Sequence, residues 1–362
     1  MKKLTTIAVP LSLGLSVLLG AAAPARAAGP SRAPTYKIHW LLGHNNLDFF
    51  AAAAQSFKTA VETGSHGDIQ VQIETASDPW RDARGQSEPE IAGKVSRGEA
   101  EMGHSFTNVL GKTDHRLWAF DCPYLMKGYL HMEEVMEGPI GTELLEGMRA
   151  QNLVGLAFTY SGGAQGVATT GGEIRGPEDL KGRKVGVFGT DVDAAWLTAL
   201  GAQPVPIRHE LRSIERLTRD GSIDSAVVTW RRMYEADLQD QYKYVSIMNS
   251  SYLTSITYIN EKFYDGLPEK YRKLIKDATV TAARIERART IELNEQTKNV
   301  YIAKGIVPVY LSDAARAKFQ EALRPVYEKS LNGIVGKELI ERIRKTGDAP
   351  KLPSGFETLA AR

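Results

Sequence analysis

The 362-residue chain has a single cysteine, Cys122, and lacks the short motifs of the common enzyme classes. One cysteine cannot form an internal disulfide, so the fold depends on its own apolar core. Cys122 stands in the apolar stretch WAFDCPYLM, which is typical of a small buried residue rather than a nucleophile. No HExxH, GxSxG, P-loop or CxxC motif is present, which argues against metalloproteases, serine hydrolases, nucleotide-dependent enzymes and dithiol redox enzymes.

Metal-binding patterns and long apolar runs are also scarce. No two of the seven histidines stand four residues apart, so their spacing does not predict a metal site. The one long apolar stretch lies in residues 1–27, after two lysines and before the small-residue pattern Ala25-Arg26-Ala27. This pattern predicts a secretory signal peptide that is cleaved after Ala27, and an N-terminal membrane anchor is the alternative.

The predicted mature chain carries almost no net charge. Removing residues 1–27 takes away three basic residues and no acidic one, which leaves 42 basic against 43 acidic residues. A near-neutral surface argues against nucleic acid or an anionic membrane as partner. The predicted signal peptide, together with a single cysteine that favours a bacterial envelope, leads us to expect an exported protein of the Gram-negative periplasm, with no stable membrane insertion after signal cleavage.

Strand and helix patterns alternate along the rest of the chain. Apolar residues alternate, or run continuously, in four segments that predict strands: 36–42, 68–74, 153–160 and 254–260. Residues 47–64 carry apolar side chains at helical spacing and end at Gly64. Strands separated by helices indicate an α/β protein with parallel sheets built from βαβ units. Residues 268–304 contain no glycine, and no proline after Pro268, so they predict one helix of about 50 Å that lies across two domains.

Several stretches together resemble the periplasmic solute-binding proteins of tripartite ATP-independent periplasmic (TRAP) transporters, in the family of dicarboxylate-binding receptors. They are FDCPYLM, GPIGTELLEGM, GPEDLKGRKVGVFGT, LGAQPVPI and LPEKYRKLI, and the resemblance covers nearly all of the mature chain in the same order. It implies a two-lobed fold of the type II-like periplasmic binding proteins. Residues 28–155 would form lobe 1, together with about 245–275 and the C-terminal helices. Residues 156–244 would form lobe 2, together with about 300–325, and the helix 268–304 would span both lobes.

The resemblance also implies what the protein does. Such a receptor captures a small organic solute between its lobes, closes around it and delivers it to the membrane permease subunits, which an ion gradient drives. It is not an enzyme, and neither a cofactor nor a metal is expected. A sensory role, in which the receptor presents its solute to a membrane kinase, and a periplasmic enzyme remain as alternatives.

The sequence departs from the family where the family binds its solutes. Members commonly place an arginine in the strand after PEDLKG, a second arginine in the preceding strand and a polar amide later in the chain, whereas the matching positions here hold Gly186, Gln165 and Val228. Paired arginine–carboxylate contacts are strong and directional, and a buried carboxylate without them loses its solvation. The departures therefore predict a solute that is neutral or cationic, or a carboxylate held in an atypical way. A misaligned segment, or an arginine relocated to Arg231 or Arg208, would instead restore an ordinary C4-dicarboxylate-type receptor.

The candidate ligand-binding residues follow predicted strands or inherit family contact positions, because ligands of open α/β sheets bind beyond the carboxyl ends of strands. Acidic side chains are suited to a cation or a hydroxyl-rich solute, and aromatic rings supply stacking or cation–π faces. A glycine inside a strand suggests a bulge or the close approach of another group. The full set is His44, Asn45, Glu88, Phe106, Thr107, Tyr160, Gln165, Gly186, Phe188, Asp191, Trp230 and Arg231.

Overall fold

The computed structural model describes residues 33–42, 48–75, 88–207 and 211–347. The predicted signal peptide, 1–27, lies outside these residues. The strands are β1 (Tyr36–Leu42), β2 (Ile69–Thr75), β3 (Met102–Phe106), β4 (Leu153–Ala164), β5 (Gly166–Thr169), β6 (Lys184–Val187), β7 (Gln203–Pro206), β8 (Ser225–Val228), β9 (Tyr244–Ile247), β10 (Tyr252–Asn260) and β11 (Val307–Tyr310).

The α-helices are α1 (Asp48–Gly64), α2 (Glu88–Arg97), α3 (Thr107–Leu110), α4 (Tyr129–Glu137), α5 (Pro139–Gly147), α6 (Asp191–Ala199), α7 (Leu211–Arg219), α8 (Trp230–Glu235), α9 (Glu261–Asp265), α10 (Glu269–Ala303), α11 (Asp313–Val326) and α12 (Lys337–Lys345). Short 3₁₀ helices cover His115–Asp121, Met148–Gln151, Pro177–Leu180 and Leu238–Asp240, and a π-helical segment, Tyr327–Gly336, joins α11 to α12. None of the helices in these ranges is long and apolar enough to cross a membrane.

The strands form two sheets. Their orders are β2-β1-β3-β10-β4 for the first sheet and β11-β9-β5-β8-β6-β7 for the second sheet. The predicted all-parallel arrangement is wrong, because β10 runs antiparallel to β3 and β4 while β5 runs antiparallel to β8 and β9. The prediction assumed a helix between successive strands. Both β5 and β10 follow the preceding strand without a helix, because the chain passes there straight from one sheet to the other.

Helix α1 packs on the first sheet with the apolar face that the sequence pattern predicts. The five apolar residues of α1 at helical spacing are all buried: Phe50, Ala53, Ala54, Phe57 and Val61. The ring of Phe57 meets Trp40 of β1 edge to face, with ring centroids 5.0 Å apart. Each such aromatic side chain contributes about 2–3 kcal/mol through burial, so this layer is a main source of the stability of the first sheet.

The long helix α10 reaches both sheets, as predicted. At 35 residues it is about 50 Å long. Ile275, in its first half, lies in the apolar cluster beneath the first sheet. Tyr301, near its end, lies in the cluster of the second sheet, where its hydroxyl donates to Gln239 Oε1 at 2.8 Å. The two-lobed α/β fold with a spanning helix is thereby confirmed.

The C-terminal helices join the two halves by a further route. Phe319 of α11 shares an apolar cluster with Trp196 of α6, and Ile343 of α12 shares the same cluster with Met132 of α4. Pro325 lies inside α11, where it removes a backbone donor, and the π-helical segment begins two residues later. The C-terminal helices α11 and α12 are therefore parts of one continuous, irregular helical stretch.

Candidate functional site

The chain passes between the sheets at two neighbouring strand junctions. β4 ends at Ala164 and β5 begins at Gly166, so Gln165 is the single residue between them. The backbone N–H of Gln165 donates to Ser251 O at 2.9 Å, and Ser251 Oγ donates to Gln165 Oε1 at 2.8 Å. Ser251 lies in the second junction, between β9 and β10. The two connecting segments are thus bonded to each other side by side, and Gln165 is buried between them.

Two glycines at the end of β4 allow this passage. Gly162 has a φ of +124° and Gly163 a φ of +69°, a region that side chains disfavour. A Cβ on Gly162 would lie 2.8 Å from Thr229 Oγ1, and one on Gly163 would lie 2.5 Å from the hydroxyl of Tyr129. Both glycines are therefore required by backbone conformation and by close packing.

Asn294 of α10 ties this junction to the second sheet. Its Nδ2 donates to Gly162 O, and its Oδ1 accepts from the backbone N–H of Arg231 at 3.1 Å. One side chain of the spanning helix thus holds β4 of the first sheet and the first turn of α8. Three elements thus meet at one point, beside glycines of positive φ, and we call this junction between the two sheets the hinge.

The strands β6 and β8 are neighbours in the second sheet. Their carboxyl ends lie next to this hinge, and we call this end of the two strands the edge of the second sheet. Thr229 follows β8 and caps α8, because its Oγ1 accepts from the backbone N–H of Arg232 at 3.0 Å. The guanidinium of Arg232 lies over the ring of Phe188, 5.5 Å from the ring centroid, and Arg232 is only 7% exposed. The edge where an open α/β sheet binds its ligand therefore carries a buried cation that lies over an aromatic ring.

Gly186 is enclosed by isoleucines. A Cβ at this position would lie 2.9 Å from Ile223 Cδ1 and 3.3 Å from Ile207 Cγ2. Its φ is not positive, so the glycine serves close packing rather than an unusual backbone conformation. The space in which the family pattern places an arginine is filled by the apolar core of the second sheet.

Three predicted contact residues lie within the packed body around the first sheet. Tyr160 is fully buried, and its hydroxyl donates to Glu133 Oε1 at 2.7 Å. Thr107 is buried with its Oγ1 at 2.7 Å from Thr254 Oγ1, and Phe106 packs in a small buried cluster. Their roles as ligand contacts remain predictions.

The predicted residues of the second lobe lie in different surroundings. Asp191, the first residue of α6, is exposed, and Trp230 is half-buried against the core of the second sheet. Arg231 pairs with Glu235 on its own helix, Nε to Oε1 at 3.0 Å, and its guanidinium lies over the exposed ring of Tyr234. Gln165, Gly186, Phe188, Trp230 and Arg231 thus lie near the hinge or the adjacent edge, whereas Asp191 faces solvent.

Some predicted positions fall outside the described part of the chain. His44 and Asn45 lie there, as does Arg208. Glu88 begins α2, and its side chain also lies outside the described residues. Within those residues, no group of three or more His, Cys, Asp or Glu side chains is arranged to hold a metal ion.

Sequence reasoning missed Arg232 and Asn294. The string TWRRMYE has two arginines after a strand, and the sequence pattern predicts the first of them, Arg231, as the contact. α8 begins already at Trp230, so Arg232 is the third helical residue. Helical side chains point back toward the N-terminus of their helix, which directs Arg232 over the end of β6.

Buried acids lie close to where the halves join. Asp121 ends the 3₁₀ helix that follows α3, and Asp193 lies in α6; both are buried. Burial raises the pKa of Asp121 well above its usual range, and the charge of Asp193 raises it further. Burial also raises the pKa of Asp193 to about 6, although Thr190 and Trp196 donate to its carboxylate. Ionisation of this pair is therefore disfavoured in the folded protein.

The comparison with protein families shows to which family the chain belongs. The model of the DctP family, described as bacterial extracellular solute-binding protein, family 7, matches residues 44–333. The chain belongs to this family. Among the relatives of this chain, the C4-dicarboxylate-binding protein DctB of Bacillus subtilis is 23% identical over 292 residues, which is 80% of this chain and 81% of that protein. The C4-dicarboxylate-binding periplasmic protein DctP of Rhodobacter capsulatus is 25% identical over 294 residues, 80% and 85% of the two chains.

Solved structures show the same fold. A TRAP periplasmic solute binding protein from Ochrobactrum anthropi superposes with a TM-score of 0.78 at 22% identity, covering 86% of this chain and 94% of that one. One from Roseobacter denitrificans, with bound β-D-glucuronate, gives a TM-score of 0.75 at 21% identity, covering 86% and 99%. The resemblance to TRAP solute-binding proteins is confirmed.

Proposed function

We propose that this family 7 protein is the exported receptor of a TRAP transporter. It captures one small organic solute between the two sheets and delivers it to the membrane permease subunits. The hydrogen-bonded double junction at Gln165 and Ser251 carries the proposal, because it joins two sheets through a narrow hinge. The match to the family over residues 44–333 supports the receptor role.

Closure follows from the way the hinge is built. The glycines 162 and 163 absorb changes of backbone angle at the end of β4, while α10 keeps both lobes in register through Asn294. A solute that contacts both lobes binds the closed form more tightly than the open form, so it shifts the population toward closure. The closed form is then the form that the permease recognises.

The solute proposed here is a small hydroxylated organic acid. Related structures hold β-D-glucuronate, D-erythronate or β-D-galacturonate, each of which carries one carboxylate and several hydroxyls. Neither residue 165 nor residue 186 supplies an arginine here, so the carboxylate is held in another way. The buried cation at the edge of the second sheet supports this choice over a neutral or cationic solute.

Thermal denaturation of the purified mature protein tests the receptor role. A ligand at a hundredfold excess over its Kd stabilises the folded state by about 2.7 kcal/mol, which raises the Tm by several degrees. We expect at least one small solute in a panel of acids, sugars and amines to produce this shift, with one site per chain by calorimetry. A panel in which no solute of any charge stabilises the protein would contradict the proposed function.

A further inference from the structure

Arg232 of α8 lies close to the end of the strand that contains Gly186. Gly186 lies in β6 and Phe188 directly follows this strand, and both lie against the apolar cluster that contains Ile223. The guanidinium of Arg232 lies over Phe188. A cation therefore lies over the residue that is two positions beyond Gly186, where the family pattern has its arginine.

We propose that Arg232 is the residue that anchors the carboxylate of the solute. The inference rests on the proposed function and adds to it the residue that sets the charge of the ligand. Arginine presents N–H donors in a planar fork that matches the two oxygens of a carboxylate. Because Arg232 is 93% buried, the low dielectric around it strengthens such charge-assisted bonds.

The contact with Phe188 is compatible with this role. The guanidinium carbon lies 5.5 Å from the centroid of the ring, which is within the range of a cation–π contact. The ring also limits the rotamers of the long side chain, which lowers the entropy cost of binding. Phe188 thus holds the cation in position before the solute arrives.

The location of α8 places this cation at the boundary between the lobes. Its capping residue, Thr229, packs against Gly162 of β4, and the backbone N–H of Arg231 donates to Asn294 of the spanning helix. Arg232 is the third residue of α8, and its side chain points back toward this end of the helix. A solute bound to Arg232 therefore lies next to the hinge.

Calorimetric titration of the mature protein with matched probes tests the proposal. The probes are D-glucuronate, D-galacturonate, D-galactonate and succinate, each beside an uncharged counterpart (D-glucose, D-galactose, galactitol and 1,4-butanediol), and choline as a cation. We expect wild type to bind at least one carboxylate and not its counterpart. Arg232→Gln should weaken that binding at least about 30-fold, the lower end of the cost of removing one partner of a buried charge pair.

The control is Arg219→Gln, which makes the same change of charge on the same lobe. Arg219 is 72% exposed and pairs with Glu215 on its own helix, so its removal should leave the Kd unchanged. The Tm of each unliganded variant shows whether it folds. If Arg232→Gln does not fold, Arg232→Lys decides, because lysine keeps the charge but loses the fork; we then expect a weaker Kd, and an unchanged one overturns the proposal.

The outcomes separate this inference from the function on which it rests. Binding of neutral or cationic probes alone overturns the role of Arg232 but leaves the receptor function standing. Carboxylate binding that survives Arg232→Gln, or that is lost in Arg231→Gln instead, also overturns it. No binding by any probe, and no stabilisation by any solute of the wider panel, counts against the receptor function itself.

Discussion

Replacing Glu286 by glutamine should remove part of the pH dependence of stability. Glu286 is fully buried where α10 crosses β4, and its carboxylate accepts from Tyr160 N–H and from the hydroxyl of Thr290, each at 2.8 Å. Burial raises its pKa to about 7, although these donors and Arg287 oppose the rise. The folded protein therefore favours the protonated acid, whereas the unfolded chain ionises near the ordinary value of 4.5.

The size of the effect follows from this difference. Stability from the protonated acid is complete below the unfolded pKa and is lost as the pH rises through about 7. Between about pH 5.5 and about pH 8, the ionisation of Glu286 lowers the free energy of unfolding by about 2 kcal/mol. Glutamine has no such ionisation. Its Oε1 accepts from Tyr160 N–H, and its Nε2 donates to Thr290 Oγ1, whose hydroxyl reorients to accept.

Thermal denaturation of wild type and Glu286→Gln across this pH range measures the effect. On going from about pH 5.5 to about pH 8, the Tm of wild type should fall by a few degrees more than that of the variant. Glu292→Gln is the control, because Glu292 lies on the same helix but is half exposed and pairs with Arg289. A Tm difference between wild type and Glu286→Gln that stays constant with pH would refute the assigned ionisation.

Three further predictions concern packing, the hinge and export. Gly186→Ala should lower the free energy of unfolding by about 1–3 kcal/mol, because its Cβ meets Ile223 Cδ1 at 2.9 Å. Adding Ile223→Val, which removes that methyl, should recover part of the loss, and strictly additive effects in chemical denaturation would contradict the contact. Gly162→Ala should cost at least about 1 kcal/mol, since its φ is +124° and Thr229 is close, whereas Gly171→Ala, which meets nothing within 4 Å, should be nearly neutral in the same assay. Expression of the full chain in a Gram-negative host should yield a periplasmic protein that begins at residue 28, and a mass that retains residues 1–27 would contradict the predicted signal peptide.

Local periodicity predicted the long elements well. The helices predicted for 47–64 and 268–304 are observed as Asp48–Gly64 and Glu269–Ala303, because one apolar face or the lack of breakers defines each of them. The pattern failed at β4, which was predicted to end at 160 and continues to Ala164. Gly162 and Gly163 indicate a loop in sequence, yet in the structure they let a strand pass from one sheet to the other.

The site was less predictable than the fold, because it depends on contacts between distant segments. Asn294 lies 132 residues from Gly162, and nothing in the local sequence predicts that its side-chain amide donates to the carbonyl oxygen of Gly162. Arg232 was missed for a different reason. To choose between two adjacent arginines, one must know at which residue α8 begins. A shift of one residue turns a helical side chain by about 100°, which separates the contact with Phe188 from the contact with Tyr234.

At Gly186 the family pattern and the structure give different information. The pattern identifies a missing arginine, and it leads to the expectation of a solute without a carboxylate. The structure shows that Ile223 and Ile207 occupy the space, so an arginine cannot return to this strand position without displacing the core. On the proposed assignment, the cation has moved from a rigid strand to the first turn of α8, beside the hinge. Because Thr229, which caps that turn, packs against Gly162, a solute bound to Arg232 would lie beside the junction at which we propose that the lobes close.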